Sequence, residues 1–135
     1  MPLILAGSAG AQAPGVEVER SPPAERLAEL YAAAVALILP SLHQGFGLPA
    51  LGAMRAGAPV LAASSPGLEE VCGDAALWAD PRDSDSFASA MLTLQEQPQL
   101  GEEMARRGRE RVRGYSWAAC AEAHARAYSL AVSRA

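Results

Sequence analysis

Gln44, Gly45, Phe46, Gly47, Leu48 and Gly52 are the residues of this chain whose types and spacing best suit ligand binding. They lie in PSLHQGFGLPALGAMRAGAPVLA, residues 40–62, where a glycine-rich turn separates an apolar run from a helix-like segment. Gly45 and Gly47 let the backbone take unusual angles and let a ligand come close. A helix starting just beyond the turn presents free N–H groups and a partial positive charge, a seat for a phosphate. The chemistry on offer is anion binding. Two glycines before a helix also occur in tight turns that hold no ligand, and spacing alone leaves that reading open.

The elements around the turn alternate between strand and helix. Leu3 to Ala6 is an apolar run ending at Gly7 and reads as a buried strand; residues 7–15, GSAGAQAPG, read as a breaker-rich loop. Val16 to Glu19 suits a short strand. Pro22 and Pro23 then introduce a helix whose apolar face is Leu27, Leu30, Tyr31 and Ala34. Val35 to Leu39, stopped by Pro40, reads as a strand buried on both faces, as in a parallel sheet. After the turn comes a short helix through Met54 to Ala56, with Gly57 suited to its C-terminal cap. Strands at Pro59 to Ala62 and Ala75 to Trp78 flank one helical turn at Leu68 to Val71. Asp83 suits the cap of a helix with Phe87, Ala90, Met91 and Leu94 on its face; another carries Leu100, Met104, Gly108 and Val112. Ser116 caps a last helix, whose inner side is expected to be Trp117, Cys120, Ala121, His124 and Tyr128. This order predicts an α/β fold with a parallel sheet, where ligands bind beyond the carboxyl ends of the strands.

Composition narrows the function. The chain has 135 residues, enough for one domain. Half are hydrophobic and 19% charged, which fits a globular chain, and the net charge of −4 carries no nucleic-acid footprint. Every basic residue is an arginine. Cys72 and Cys120 lack metal-ligand spacing and read as buried free thiols in a reducing cytosol. No segment reaches the roughly 20 apolar residues a transmembrane helix needs, and no signal peptide is evident, so a cytoplasmic location is expected. No metal site, cofactor or catalytic residue is assigned.

Several ordered blocks resemble the donor-binding half of the retaining group 1 glycosyltransferases, which have two Rossmann-like domains and use nucleotide-activated sugars. Leu3 to Gly7 is similar to the family's LVIAG strand, and AERLAELYAAA with VALILPS resembles its helix-strand unit ending in Pro-Ser, here Pro40 and Ser41. QGFGLPALGAM resembles EGFGLPxLEAM, and GAPVLAA resembles GxPVVAS. LEEVCGDAALWADPRD resembles LPEVxGDAAxxxDPxD, and Tyr115 to Trp117 resembles Phe-Ser-Trp. The resemblance implies a Rossmann-like parallel sheet flanked by helices, the C-terminal half of a two-domain fold. Residues 1–135 then form a single truncated nucleotide-sugar domain whose family-typical first strand would precede Met1. It also implies that position 44 meets hydroxyls of the donor sugar and that the backbone at Phe46 and Gly47 approaches sugar and diphosphate. Leu48 would lie near the nucleotide, and position 52 would take the ribose hydroxyls.

Two positions depart from the family pattern. Gln44 stands where the family has glutamate; it keeps hydrogen-bonding capacity but has no charge to stabilise a developing positive sugar centre. Gly52 stands for a second glutamate, and losing a charged hydrogen bond to the ribose costs about 1.5–3 kcal/mol. The family clamps the donor diphosphate with an arginine and a lysine ahead of its LVIAG strand, and this chain has no lysine. Only residues 8–15 separate the first two strands, whereas a parallel crossover ordinarily takes about a dozen residues or more with a helix, so the family's helix reads as deleted here; with the family's first strand also absent, a gap or unpaired edge is expected where that strand would lie. The expected function is donor binding for hexosyl transfer with retention, with the isolated chain inactive and its nucleotide-diphosphate sugar bound weakly or not at all. The alternative is a non-catalytic module that pairs with a missing acceptor domain or another glycosyltransferase chain.

Other polar residues read more plainly. His43 suits an exposed turn and His124 a satisfied core position. Glu70 either faces the donor loop or caps a short helix, and Glu69 faces solvent. Arg106, Arg107, Arg109, Arg111 and Arg113, among Glu102, Glu103 and Glu110, suit a solvated helix face with intrahelical pairs.

Overall fold

The computed structural model describes residues 2–7 and 13–133. The first two strands are β1 (Leu3–Gly7) and β2 (Val16–Arg20), followed by α1 (Ala24–Ala33) and β3 (Leu37–Leu39). Then come α2 (Leu48–Ala56), β4 (Val60–Ala63), α3 (Pro66–Cys72) and β5 (Ala76–Ala79). Three helices complete the chain: α4 (Ser84–Glu96), α5 (Pro98–Val112) and α6 (Trp117–Val132). Residues 8–12 of the expected 7–15 loop lie outside the described residues.

All strand pairs are parallel. β4 is the middle of a three-stranded sheet, with Leu37 opposite Val60 on one side and Val60 opposite Ala76 on the other. Every residue of β4 is buried, which is why it can read VLAA with no polar alternation. Met54, Val60, Leu68, Val71 and Val112 pack on one face of this sheet. Leu61, Ala79 and Leu94 pack on the other, with Ile38, Phe87 and Met91 beside them. Gly108 lets α5 approach α2 closely, since a β-carbon there would lie 2.9 Å from Cγ of Met54.

β1 and β2 form a separate two-stranded sheet, Leu3 opposite Val16 through Gly7 opposite Arg20, despite their short connection. Among the described residues, β3 pairs only with β4, which leaves its other edge unpaired. This corrects two burial expectations. β1 is largely exposed, and β3 is half-buried and starts only at Leu37, with Val35 exposed. An apolar parallel strand reaches full burial only with neighbours on both edges and layers on both faces, and these two lack that cover.

The largest correction concerns α6. Its cap is as expected, with Ser116 Oγ accepting from the Ala119 amide at 3.1 Å. The supposed inner side does not face a core: Trp117 is 79% exposed, Tyr128 69%, and Cys120, Ala121 and His124 are exposed too. His124 is therefore not a core histidine and Cys120 is not a buried thiol. The His124 Nδ1–H donates to the Cys120 carbonyl at 2.8 Å, and its ring lies 6.4 Å from that of Tyr128, so the stripe is real but uncovered.

On α5 the intrahelical pairs form as expected. Arg106 meets Glu103 and Glu110, and Arg107 meets Glu103. Hydrogen bonds from Arg106 and Arg107 pull the Glu103 carboxyl down to about 2. Arg111 has a different role: it reaches across to the carbonyls of Glu70 and Val71 at the end of α3.

Candidate functional site

β3 ends at Leu39, and the chain then turns through residues 40–47 into α2 at the carboxyl edge of the sheet. Gly47 is the N-cap of α2, with φ +88°, a left-handed conformation that glycine adopts readily. A β-carbon on it would lie 2.9 Å from Cδ2 of Leu68, so both its angle and its packing call for glycine. Gly67, in the first turn of α3, backs the other side of the turn: a β-carbon there would lie 2.5 Å from the Gln44 carbonyl oxygen. Pro49 fits the first turn of α2, where its missing N–H is no loss.

The six candidate residues therefore divide. Phe46, Leu48 and Gly52 line one open cavity of about 590 Å³, together with Leu51, Arg55, Tyr115, Trp117 and Cys120. Gly47 and the Gln44 backbone turn towards α3 instead, and Gly45 has open space around it. Phe46 is half exposed, its ring edge-on to Tyr115 at 6.0 Å and 72°. Leu48, Leu51, Gly52 and Arg55 recur at helical spacing, so one face of α2 forms the cavity floor. Its lining is mostly apolar and its positive charge comes from Arg55, whose Nη2 donates to the Tyr115 carbonyl at 3.4 Å.

Gly52 is not simply an emptied position. A β-carbon there would lie 3.1 Å from Cε2 of Tyr31, on the inward face of α1. Burial pushes the Tyr31 hydroxyl above its ordinary pKa. His43 is exposed, as expected. Glu69 does not merely face solvent, because its carboxylate accepts from the Ser64 hydroxyl. At Glu70 the backbone carbonyl is what is engaged, accepting from Arg111 Nη2 at 2.6 Å.

Four contributors were not singled out from the sequence as site residues. Tyr31 is visible there only as part of a helix face, and Tyr115 only as part of the YSW block. Gly67, in the SSPGLEE run, was readable as a glycine opening a helix beside the turn. Arg55 follows Gly52 by three positions on the same helix face, a spacing that could have placed it in the same cavity. Among the described residues no cluster of histidine, cysteine and acidic side chains could hold a metal ion.

A family model described as "Glycosyl transferases group 1" matches residues 15–111. The chain belongs to this family. It is 40% identical over 108 residues to the O-antigen chain mannosyltransferase B of Escherichia coli, a match covering 80% of this chain and 28% of that protein. It is 36% identical over 115 residues to a D-inositol 3-phosphate glycosyltransferase of Frankia alni, covering 84% and 28%. The sucrose-phosphate synthase of Thermosynechococcus elongatus superimposes with a TM-score of 0.80 at 29% identity, over 90% of this chain and 31% of that one. The fold is thus that of the two-domain Rossmann-like glycosyltransferases, and this chain spans under a third of the length of these relatives.

Proposed function

We propose that this chain is a nucleotide-sugar donor domain, serving transfer of a hexose to an acceptor with retention when joined to an acceptor domain. The donor would be held at Gln44, Gly45, Phe46, Gly47, Leu48 and Gly52. The observation that carries this reading is the cavity shared by Phe46, Leu48 and Gly52 beside the start of α2. The names of the relatives favour mannose as the first hexose to test. In isolation the 135-residue chain does not turn over donor, because Gln44 and Gly52 supply no carboxylate and no lysine is available for the diphosphate. The test incubates the chain with a panel of nucleotide-sugars and simple acceptors and assays nucleotide release. Release well above background, abolished by changing Phe46 and Gly47, would sink the claim of inactivity. Calorimetric binding of a nucleoside diphosphate, lost in Phe46→Ala, supports the donor site; no binding of any nucleotide counts against it.

A second reading, a non-catalytic subunit that pairs with another glycosyltransferase chain, is favoured by α6. Its sixteen residues are exposed, and Trp117, Tyr128, Leu130 and Val132 form uncovered apolar surface. Light scattering over a concentration series separates the readings. Association with a second chain supports the module, and a stable, cooperative monomer counts against it.

A further inference from the structure

We propose that Arg55 forms an anion subsite in the cavity, pairing with the phosphate groups of a nucleoside diphosphate. This rests on the donor reading and extends it to a residue that neither the turn nor its glycines point to. Arg55 lines the same cavity as Phe46, Leu48 and Gly52, one helical turn beyond Gly52. At roughly 30 Å³ per water-sized group, about 590 Å³ holds roughly 20 non-hydrogen atoms, about the size of a nucleoside with one phosphate, and the open side of the cavity leaves room for a second.

Arg55 sits in the last turn of α2, where it complements the helix dipole, and no described carboxylate neutralises it. Arg26, Arg106 and Arg107 are each paired with carboxylates, and Arg111 is committed to the carbonyls of α3. Among the described residues, no carboxylate lies within ion-pairing distance of Arg55. Its one hydrogen bond, to the Tyr115 carbonyl at 3.4 Å, is long and engages a single nitrogen. The rest of the guanidinium fork is free to take two phosphate oxygens side by side, the geometry in which arginine binds phosphate best. In a chain without lysine, Arg55 supplies the one charged side chain among the described residues lining the cavity.

The experiment titrates the full chain by calorimetry with uridine diphosphate, uridine and inorganic pyrophosphate, and repeats this with Arg55→Gln and, as a control outside the cavity lining, with Arg82→Gln. Uridine diphosphate is expected to bind the native chain more tightly than uridine. Arg55→Gln should weaken diphosphate binding about tenfold and leave uridine unchanged, as for loss of a charged hydrogen-bond pair. Arg82→Gln should change neither. Circular dichroism of each variant confirms that the fold is retained. If Arg55→Gln leaves the preference for diphosphate over uridine intact, this subsite is wrong and the donor reading stands. If Arg82→Gln lowers binding equally, the effect is net charge and the subsite is again overturned. Pyrophosphate that binds as tightly as uridine diphosphate, and depends on Arg55, supports the anion subsite but removes the nucleoside from it. If the native chain binds neither nucleotide ligand, the donor reading fails as well.

Discussion

Tyr31 occupies the space beside Gly52 that a side chain there would enter: a β-carbon on Gly52 would meet Cε2 of the tyrosine at 3.1 Å. Restoring a glutamate at position 52 is therefore not a free gain. It would return a ribose contact of about 1.5–3 kcal/mol and remove a helix glycine costing about 1 kcal/mol. Against this, the ring must yield by a few tenths of an ångström in a half-buried position. Gly52→Glu alone is expected to raise nucleoside-diphosphate affinity by less than about tenfold. Gly52→Glu with Tyr31→Leu should gain more affinity than the single change while unfolding at lower temperature. Calorimetric titration with uridine and guanosine diphosphates, beside thermal melts, checks both. Equal gains from the single and double variants would show that the ring is no obstacle.

The turn is held from behind by Gly67, which leads to a paired prediction. Gly67→Ala sets a methyl group 2.5 Å from the Gln44 carbonyl oxygen, a backbone atom that cannot swing aside. Gly45→Ala meets nothing within 4 Å and needs no left-handed angle. The first should destabilise the chain by about 1–3 kcal/mol, as overpacking does, and displace the turn. The second should stay within about 0.5 kcal/mol of the native chain. Urea unfolding of both variants measures the contrast. Equal stabilities would mean the turn is not clamped against α3.

Gly47 and Gly67 show how far the sequence could be read. Gly47 was legible because a turn before a helix calls for glycine by local geometry alone. Gly67 was not, because its constraint is a carbonyl more than twenty positions away in the chain. The central strand β4 and helices α4 and α5 were legible from their apolar patterns, since burial follows directly from those residues. The same reasoning failed for α6. A stripe of Trp117, Cys120, His124 and Tyr128 records that a face is apolar but not whether anything covers it. Arg55 escaped notice because an arginine in the last turn of a helix already has a local explanation in the helix dipole.

Arg111 ties α5 to the end of α3, donating through Nε to the Val71 carbonyl and through Nη2 to that of Glu70 at 2.6 Å. These carbonyls belong to the last turn of a seven-residue helix, which has few intrahelical bonds of its own. Arg111→Met keeps most of the stem but strands both acceptors and should destabilise the chain by about 1–3 kcal/mol. Arg113→Met, on an exposed residue at the end of α5, should change stability by less than about 0.5 kcal/mol. Chemical denaturation of the two variants provides the comparison. Similar losses would mean that position 111 contributes only surface charge.

The two cysteines should behave oppositely, and the difference reports on the core beneath the site. Cys72 is buried, and burial pushes its thiol up to about 11, with the nearby Arg111 charge working the other way. Cys120 is exposed. At pH 8, iodoacetamide should label Cys120 within the native chain and reach Cys72 only after unfolding. A thiol pKa raised by folding means the protonated form is favoured in the folded state. The stability this contributes is fully present below the ordinary value of 9.0 and is lost as the pH rises through about 11. The difference in unfolding free energy between the native chain and Cys72→Ala should therefore be flat below about pH 8 and shrink between about 9 and 11. Urea titrations at a series of pH values test this. A difference that stays constant to pH 11, or native labelling of Cys72 as fast as Cys120, would show that the layer joining α3 to the sheet opens to solvent.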